Sequence, residues 1–323
     1  MPRIACEGRS LELLPGETVL DALLGAGLSV PSSCRAGACQ ACLVQATRGT
    51  PPAAAQQGLK ESLRMAGYFL SCQARPDADL EVSLEGARGL EVPARVAAVE
   101  PLASDVLRVK VQTLRPLAFK AGQYITLSRS DGLARAYSIA SRPEDNQGEL
   151  ELHVRVLTGG RMSGWLAGSD ALGAAVSVRG ALGDCFYVPG NTEQPLTLIG
   201  TGTGLAPLWG VLQDALAHGH CGPIELWHGA RAASGLYLRQ ELRALQERYP
   251  QLSYRPCVLE GSGQPGLEIG RLDALVLERV PSFAGRRVYL CGDPLLVQRL
   301  KRQVFLRGAA LREIHADAFL GTA

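Results

Sequence analysis

Cys34, Cys39 and Cys42 stand in one short loop, Cys34-Arg35-Ala36-Gly37-Ala38-Cys39-Gln40-Ala41-Cys42, and Cys72 follows after a further 29 residues. Four thiols at C-x4-C-x2-C…C suit a 2Fe-2S cluster, because iron carrying sulfide bridges is a soft centre that takes thiolate ligands. The small loop residues let the chain fold back on itself. Sulfurs and backbone N–H groups then converge, and the N–H dipoles offset the negative charge of the cluster. Zinc is the alternative occupant. It usually takes two C-x2-C knuckles, and this chain offers one such pair.

Three further motifs carry chemistry. Gly200-Thr201-Gly202-Thr203-Gly204-Leu205-Ala206-Pro207 lies between an apolar strand and a helical stretch. Missing side chains there let a pyrophosphate approach the backbone, and a helix N-terminus favours its charge. The spacing is G-x-G-x-G-x-x-P, not the Rossmann G-x-G-x-x-G. Arg135-Ala136-Tyr137-Ser138 offers a guanidinium for phosphate, an aromatic for a flat ring and a hydroxyl for a ring nitrogen. Some 20 residues on, Gly159-Gly160-Arg161-Met162-Ser163 suits a helix start facing phosphate. Cys291-Gly292-Asp293-Pro294 ends a strand and starts a helix, with Asp293 as N-cap and Pro294 at N1. In a parallel sheet that edge is where ligands bind. Taken singly, each motif also reads as an ordinary turn, strand edge or helix cap.

The elements that position these residues change character along the chain. Thr18 and Asp21 form a capping box before a short helix that Gly27 closes, while Pro51–Ala55 reads as a solvated loop. Composition turns loop-like at 86–93, which marks a domain boundary. Period-2 segments follow at 105–112 and 150–156, with further strands at 124–127, 135–141 and 175–179, a rhythm that argues for an antiparallel barrel. After Pro195, strands at 196–199, 224–227, 252–258, 287–290 and 311–315 alternate with helices at 205–217, 234–249, 270–280 and 294–307. Such alternation implies βαβ units and a parallel sheet.

Bulk properties exclude several classes. The 323 residues suffice for two or three domains, and the net charge of +2 leaves no basic field for nucleic acid. The start lacks an apolar signal region. No run is apolar enough to insert into a membrane, the best being broken by Glu17 and Asp21. Nine cysteines, an odd number, argue against a disulfide framework. Cys6, Cys185, Cys221 and Cys257 read as buried small hydrophobes, and the expected location is cytoplasmic.

Over roughly residues 1–90 the chain resembles the plant-type ferredoxins. It departs at Gln40, where that family often has glycine, and this bears on loop conformation and reduction potential. Over roughly 92–323 the three motifs, in their order, resemble the ferredoxin-NADP reductase superfamily. The two together resemble the reductase components of bacterial multicomponent oxygenases, of the benzoate dioxygenase reductase type. The resemblance implies an α+β, β-grasp-like ferredoxin domain (1–90), an antiparallel β-barrel FAD domain (92–190) and an α/β parallel-sheet nucleotide-binding domain (195–323). It places Arg135, Ala136, Tyr137 and Ser138 at the flavin, Ser138 as partner of N5. His153, Val154 and Arg155 fall along the ribityl and pyrophosphate, and Gly160, Arg161, Met162 and Ser163 in the pyrophosphate loop. Gly200, Thr201, Gly202, Thr203, Gly204 and Pro207, with Cys291, Gly292, Asp293 and Pro294, form the nicotinamide nucleotide site. Cys291 lies near the nicotinamide and Phe319 against the flavin.

The implied function is electron transfer from NADH through FAD and the 2Fe-2S cluster to a partner oxygenase or hydroxylase. A hydride carries two electrons and the cluster accepts one at a time, so a flavin between them must split the pair. A reductase feeding a deoxysugar dehydratase and a redox sensor are the alternatives. Arg231 and Ser234 could grip the 2′-phosphate of NADPH, although the resemblance favours NADH. Cys39→Ser should remove the cluster and leave FAD bound. The variant is expected to oxidise NADH with ferricyanide yet fail to reduce cytochrome c efficiently. Zinc, or no iron, in anaerobically purified protein would refute the cluster.

Overall fold

A computed structural model describes residues 1–85, 90–144, 148–261 and 265–319. The first sheet holds β1 (Arg3–Cys6), β2 (Arg9–Glu12), β3 (Leu43–Arg48), β4 (Tyr68–Leu70) and β5 (Leu80–Ser83), in the order β2-β1-β5-β3-β4. Helix α1 (Val19–Gly25) packs Val19, Leu20 and Leu23 into that sheet's core. Thr18 caps it, and the capping box with Asp21 is formed on both sides. Beyond Ala26, Gly27 turns left-handed (φ 75°). Its N–H bonds Leu24 O and that of Leu28 bonds Leu23 O, which together make a Schellman ending. The expected loop at 51–55 is instead a 3-10 turn, Ala53–Gln56, with Ala55 fully buried in the same core. The short α2 (Glu61–Met65) follows.

The second sheet contains β6 (Val92–Ala103), β7 (Val106–Thr113), β8 (Tyr124–Ser128), β9 (Ala134–Ser138), β10 (Glu149–Arg155) and β11 (Ala175–Leu182), ordered β10-β7-β6-β11-β8-β9. All its pairings are antiparallel, and an Ile139↔Leu152 bridge joins its two ends into a barrel. The alternation of β7 and β10 sends Val109, Val111, Leu150, Leu152 and Val154 inward, each worth about 1.5–3 kcal/mol when fully buried. Helix α3 (Arg161–Leu166) covers one end through Met162 and Leu166. The strand expected over 135–141 stops at Ser138. Of the boundary expected at 86–93, residues 86–89 lie outside the described chain.

The third sheet is wholly parallel: β12 (Leu196–Thr201), β13 (Ile224–Ala230), β14 (Leu252–Val258), β15 (Glu268–Ile269), β16 (Arg287–Gly292) and β17 (Ile314–Ala318), ordered β15-β14-β13-β12-β16-β17. Helices α4 (Leu205–Ala217), α5 (Arg239–Arg248), α6 (Leu272–Arg279) and α7 (Pro294–Leu306) connect it, with a core on each face. The strand order reverses between β12 and β16, the place where such sheets bind ligands.

Three expectations here need correction. The helix expected from Ser234 begins only at Arg239. Leu236, Tyr237 and Leu238 are drawn into the core, Leu238 at φ 54°, so burial overrides local helix propensity. The strand expected at 311–315 is a 3-10 turn followed by β17, because Arg287 holds the Glu313 carboxylate at 2.8 Å before pairing with β16 begins. Cys221, expected inside, is exposed. Among the described residues no helix is long and apolar enough to cross a membrane.

Candidate active site

Cys42 directly precedes β3, and the 3-10 turn Ser71–Gln73 brings Cys72 beside it. The Ser71 N–H and hydroxyl both donate to the Cys42 carbonyl, at 3.1 and 2.8 Å. The four thiols meet as two pairs, Cys34 with Cys39 and Cys42 with Cys72. A hydrogen bond from Cys39 holds Cys34 well below the usual thiol value and pushes Cys39 up. Likewise the bond from Cys42 lowers Cys72, while Cys42 rises. N–H groups of Ala36 and Cys39 lie 3.4 Å from Cys34 Sγ, with those of Ala41 and Gly37 on Cys39 and Cys72. Two thiol pairs flanked by donors fit two bridged irons. A single tetrahedral ion needs its ligands at one point, and among the described residues no three His, Cys, Asp or Glu side chains converge that way. Gln40 is left-handed at φ 54°, a conformation that glycine adopts without cost.

The barrel grips this loop. The Tyr124 hydroxyl donates to Ala38 O and that of Thr126 to Cys39 O, each at 2.7 Å. Arg179 donates to Gln40 O and Ala41 O, each at 3.1 Å. Ala134 packs on Cys39 and Ala41. On the neighbouring strand, Ser138 is the cross-strand partner of Tyr124 and Ala136 that of Thr126. Cross-strand partners lie about 5 Å apart. The motif read as flavin-binding is thus one strand away from the thiol loop.

Around β9, Tyr137 packs against the barrel core and Arg135 donates to Ala134 O. The Ser138 hydroxyl donates to Asp317 Oδ2 at 2.9 Å. Burial raises the Asp317 carboxyl above the usual carboxylate range, and the Ser138 bond opposes that. The His153 ring is taken up between Glu151 Oε1 (3.0 Å) and the Tyr237 hydroxyl (3.1 Å) of the third domain. Val154 points into the barrel core. Arg155 Nε bonds Asp105 at 2.9 Å, and its guanidinium reaches over Gly202. At α3, Gly160 is the N-cap and the first helical bond is Gly164 N–H to Gly160 O. The starting N–H groups of that turn therefore have no partner within the helix.

At the reversal of the third sheet, the glycine turn and the Cys291-Gly292-Asp293 segment touch backbone to backbone. A Cβ on Gly204 would lie 2.4 Å from Cys291 O, and one on Gly292 (φ 114°) would lie 2.6 Å from Thr201 Oγ1. Thr201 Oγ1 accepts from Asp293 N–H at 3.1 Å, and Asp293 caps α7 through Leu296 N–H at 2.8 Å. Pro207 sits in the first turn of α4, where no backbone donor is required. The Cys291 thiol is fully buried, 3.3 Å from Cys185 Sγ. Cys291 is not among the residues lining the neighbouring cavity wall. Phe319 does reach that wall, its N–H bonded to Gly292 O at 2.8 Å.

One cavity of about 840 Å³ joins these parts. It runs from Cys34, Cys39 and Tyr124, past Arg135–Ser138, His153, Arg155 and Gly160–Ser163, to Thr201–Thr203, Gly292–Pro294, Asp317 and Phe319, and out to Arg231. Gly200, Gly204 and Pro207 sit behind the wall as packing residues, as do Val154 and Cys291. Cys42 and Cys72 are buried in the core of the first domain. Sequence reasoning missed Tyr124, Thr126, Arg179 and the role of Asp317. A lone arginine in the strand Ala175–Leu182 was the one available signal, since arginine is rarely buried unless paired.

Family models match in three blocks: a 2Fe-2S iron-sulfur cluster binding domain over residues 3–77, an oxidoreductase FAD-binding domain over 93–187 and an oxidoreductase NAD-binding domain over 198–302. The reductase subunit of an Amycolatopsis aromatic O-demethylase is 36% identical, over 98% of both chains. The ferredoxin–NAD(P)(+) reductase component of Ralstonia naphthalene 1,2-dioxygenase/salicylate 5-hydroxylase systems is 32% identical over 94% of both. A crystal structure of an Amycolatopsis cytochrome P450 reductase superposes with a TM-score of 0.69, at 35% identity and 99% coverage of both chains. A ferredoxin reductase from carbazole 1,9a-dioxygenase shares the fold, with a TM-score of 0.67 at 24% identity over 98% of both chains. The chain is an NAD(P)H-dependent iron-sulfur flavoprotein oxidoreductase. It belongs to the family of reductase components, ferredoxin fused to a ferredoxin-NADP reductase-like module, that serve bacterial oxygenase systems.

The buried Asp317 carboxyl has a measurable consequence. A raised carboxyl value contributes stability that is present below the unfolded value of about 3.9 and lost as pH rises through the folded value. Asp317→Asn should therefore be more stable than wild type at neutral pH while NADH-driven turnover falls. Thermal unfolding and steady-state rates across pH check both. A variant less stable at neutral pH would contradict the burial argument.

Proposed function

We propose that the chain takes a hydride from NADH at the β12–β16 edge and delivers single electrons, through a cluster held by Cys34, Cys39, Cys42 and Cys72, to a terminal oxygenase or hydroxylase. The observation that carries this reading is the unbroken cavity from the thiol loop past Ser138 and Asp317 to the glycine turn. Bound FAD supplies the conversion between a two-electron hydride and one-electron transfer, and the cluster supplies the one-electron exit. The chain's own residues do the rest. Arg135 and the starting N–H groups of α3 hold flavin phosphate, a charge-assisted contact, and Tyr137 borders the ring. Ser138 would face flavin N5, with its hydroxyl held from behind by the buried Asp317 carboxyl. Gly202, Thr203 and the N-terminus of α4 receive the nicotinamide nucleotide's pyrophosphate. Phe319, which lines the cavity beside Gly292, would lie against the flavin, and Cys291 would shape the nicotinamide position from behind through its backbone. The domain limits proposed are 1–90, 92–190 and 195–323. Nine free cysteines fit the reducing cytoplasm.

NADH is the proposed donor. Arg231, the candidate 2′-phosphate partner, is 80% exposed and already paired with Glu260 at 3.1 Å, so a 2′-phosphate would have to displace that carboxylate. Steady-state kinetics with ferricyanide and cytochrome c as acceptors are expected to give NADH the higher kcat/KM, with Arg231→Ala changing both nucleotides little. An NADPH advantage abolished by Arg231→Ala would make Arg231 a specificity residue. Negligible NADH oxidation with either acceptor would favour a redox sensor.

A further inference from the structure

Arg179 has no part in the reading above, yet its surroundings are built with care. Its side chain is 8% exposed and extends from β11 toward the thiol loop. One arm donates to the carbonyls of Gln40 and Ala41, each at 3.1 Å, and another to Glu91 Oε1 at 2.8 Å. Glu91 lies in the connection between the first sheet and β6, and its second carboxylate oxygen accepts from the Ser177 hydroxyl at 2.6 Å. One guanidinium thus ties together the thiol loop, the connection and the barrel. A buried charge is tolerated when it is paired and hydrogen-bonded, and the planar fork of arginine serves several acceptors at once as lysine cannot. Its charge also acts on Cys42 and Cys39.

We propose that Arg179 is the positioning residue for flavin-to-cluster electron transfer: it fixes the thiol loop on the barrel through Gln40 and Ala41, and its charge, balanced by Glu91, makes the cluster easier to reduce. The inference rests on Cys34, Cys39, Cys42 and Cys72 holding a 2Fe-2S cluster. It also accounts for Gln40. A left-handed non-glycine residue persists where its surroundings over-determine it, and Arg179 bonds its carbonyl while Gln40 Nε2 donates to Gly58 O at 3.2 Å.

The test uses the full-length protein loaded with FAD and cluster, verified by iron content and visible spectrum. A wild type without iron defeats the underlying cluster reading and is distinguished at that stage. Stopped-flow mixing with NADH follows flavin bleaching and cluster bleaching separately, and an EPR-monitored titration gives the cluster midpoint potential. Arg179→Met should leave flavin bleaching near wild type, slow cluster reduction several-fold, and move the potential negative. Glu91→Gln keeps the fork on the loop, so the potential should move positive with cluster reduction little slowed. The double variant should restore the potential without restoring the rate. Arg179→Lys keeps the charge but loses the fork. It should hold the potential while slowing transfer, and it decides the matter if the Met variant does not load its cofactors. Wild-type cluster reduction in Arg179→Lys, or unchanged potentials in both Arg179→Met and Glu91→Gln, would overturn the proposal.

Discussion

The thiol loop is held against the barrel by hydrogen bonds to its own carbonyls. Tyr124, Thr126 and Arg179 donate to four consecutive residues, Ala38, Cys39, Gln40 and Ala41, so the loop's N–H groups stay free to face the sulfurs. That division of labour is forced by the backbone. Each loop residue has one donor and one acceptor, and a cluster uses only the donors. The carbonyls of Cys39 and Ala41 are buried, and left unpaired they would cost about 1–3 kcal/mol each. The barrel satisfies them, and in doing so it brings the ferredoxin domain to a fixed position.

Strand pairing then sets the rest of the geometry. Because β8 pairs with β9 in the register Tyr124↔Ser138, the residues that grip the thiol loop and those proposed to border the flavin are neighbours. Because β17 pairs with β16 in the register Cys291↔Asp317, the third domain delivers Asp317 to Ser138 and Phe319 to Gly292. The glycine turn completes the arrangement by packing against Cys291. Two sheet registers and one loop clamp therefore assemble three sites that lie far apart in the sequence.

What could be read from the sequence follows the range of the forces involved. The thiol spacing, the α1 cap, β14 and α4 were legible because they depend on residues within a few positions of each other. The alternation of β7 and β10 gave the barrel, and the strand–helix rhythm gave the parallel sheet. What escaped was decided at long range. The helix expected from Ser234 yields to burial of Tyr237 beside His153. Cys291 turns toward Cys185, 106 residues away in the chain. The Arg179 clamp spans 138 residues to Ala41. Arg135, Ser138 and Gly202 line the cavity, whereas strand alternation sends Val154 inward.

The central claim is that one chain carries a complete route from nicotinamide to a one-electron exit. Anaerobic titration of the purified protein, followed at both the flavin and the cluster absorption bands, tests it most directly. Two electrons for FAD and one for the cluster predict about three electrons taken up per chain, with NADH able to bleach both bands. Uptake of about two electrons, the flavin's share alone, or a cluster band that NADH leaves oxidised while the flavin is reduced, would contradict the account.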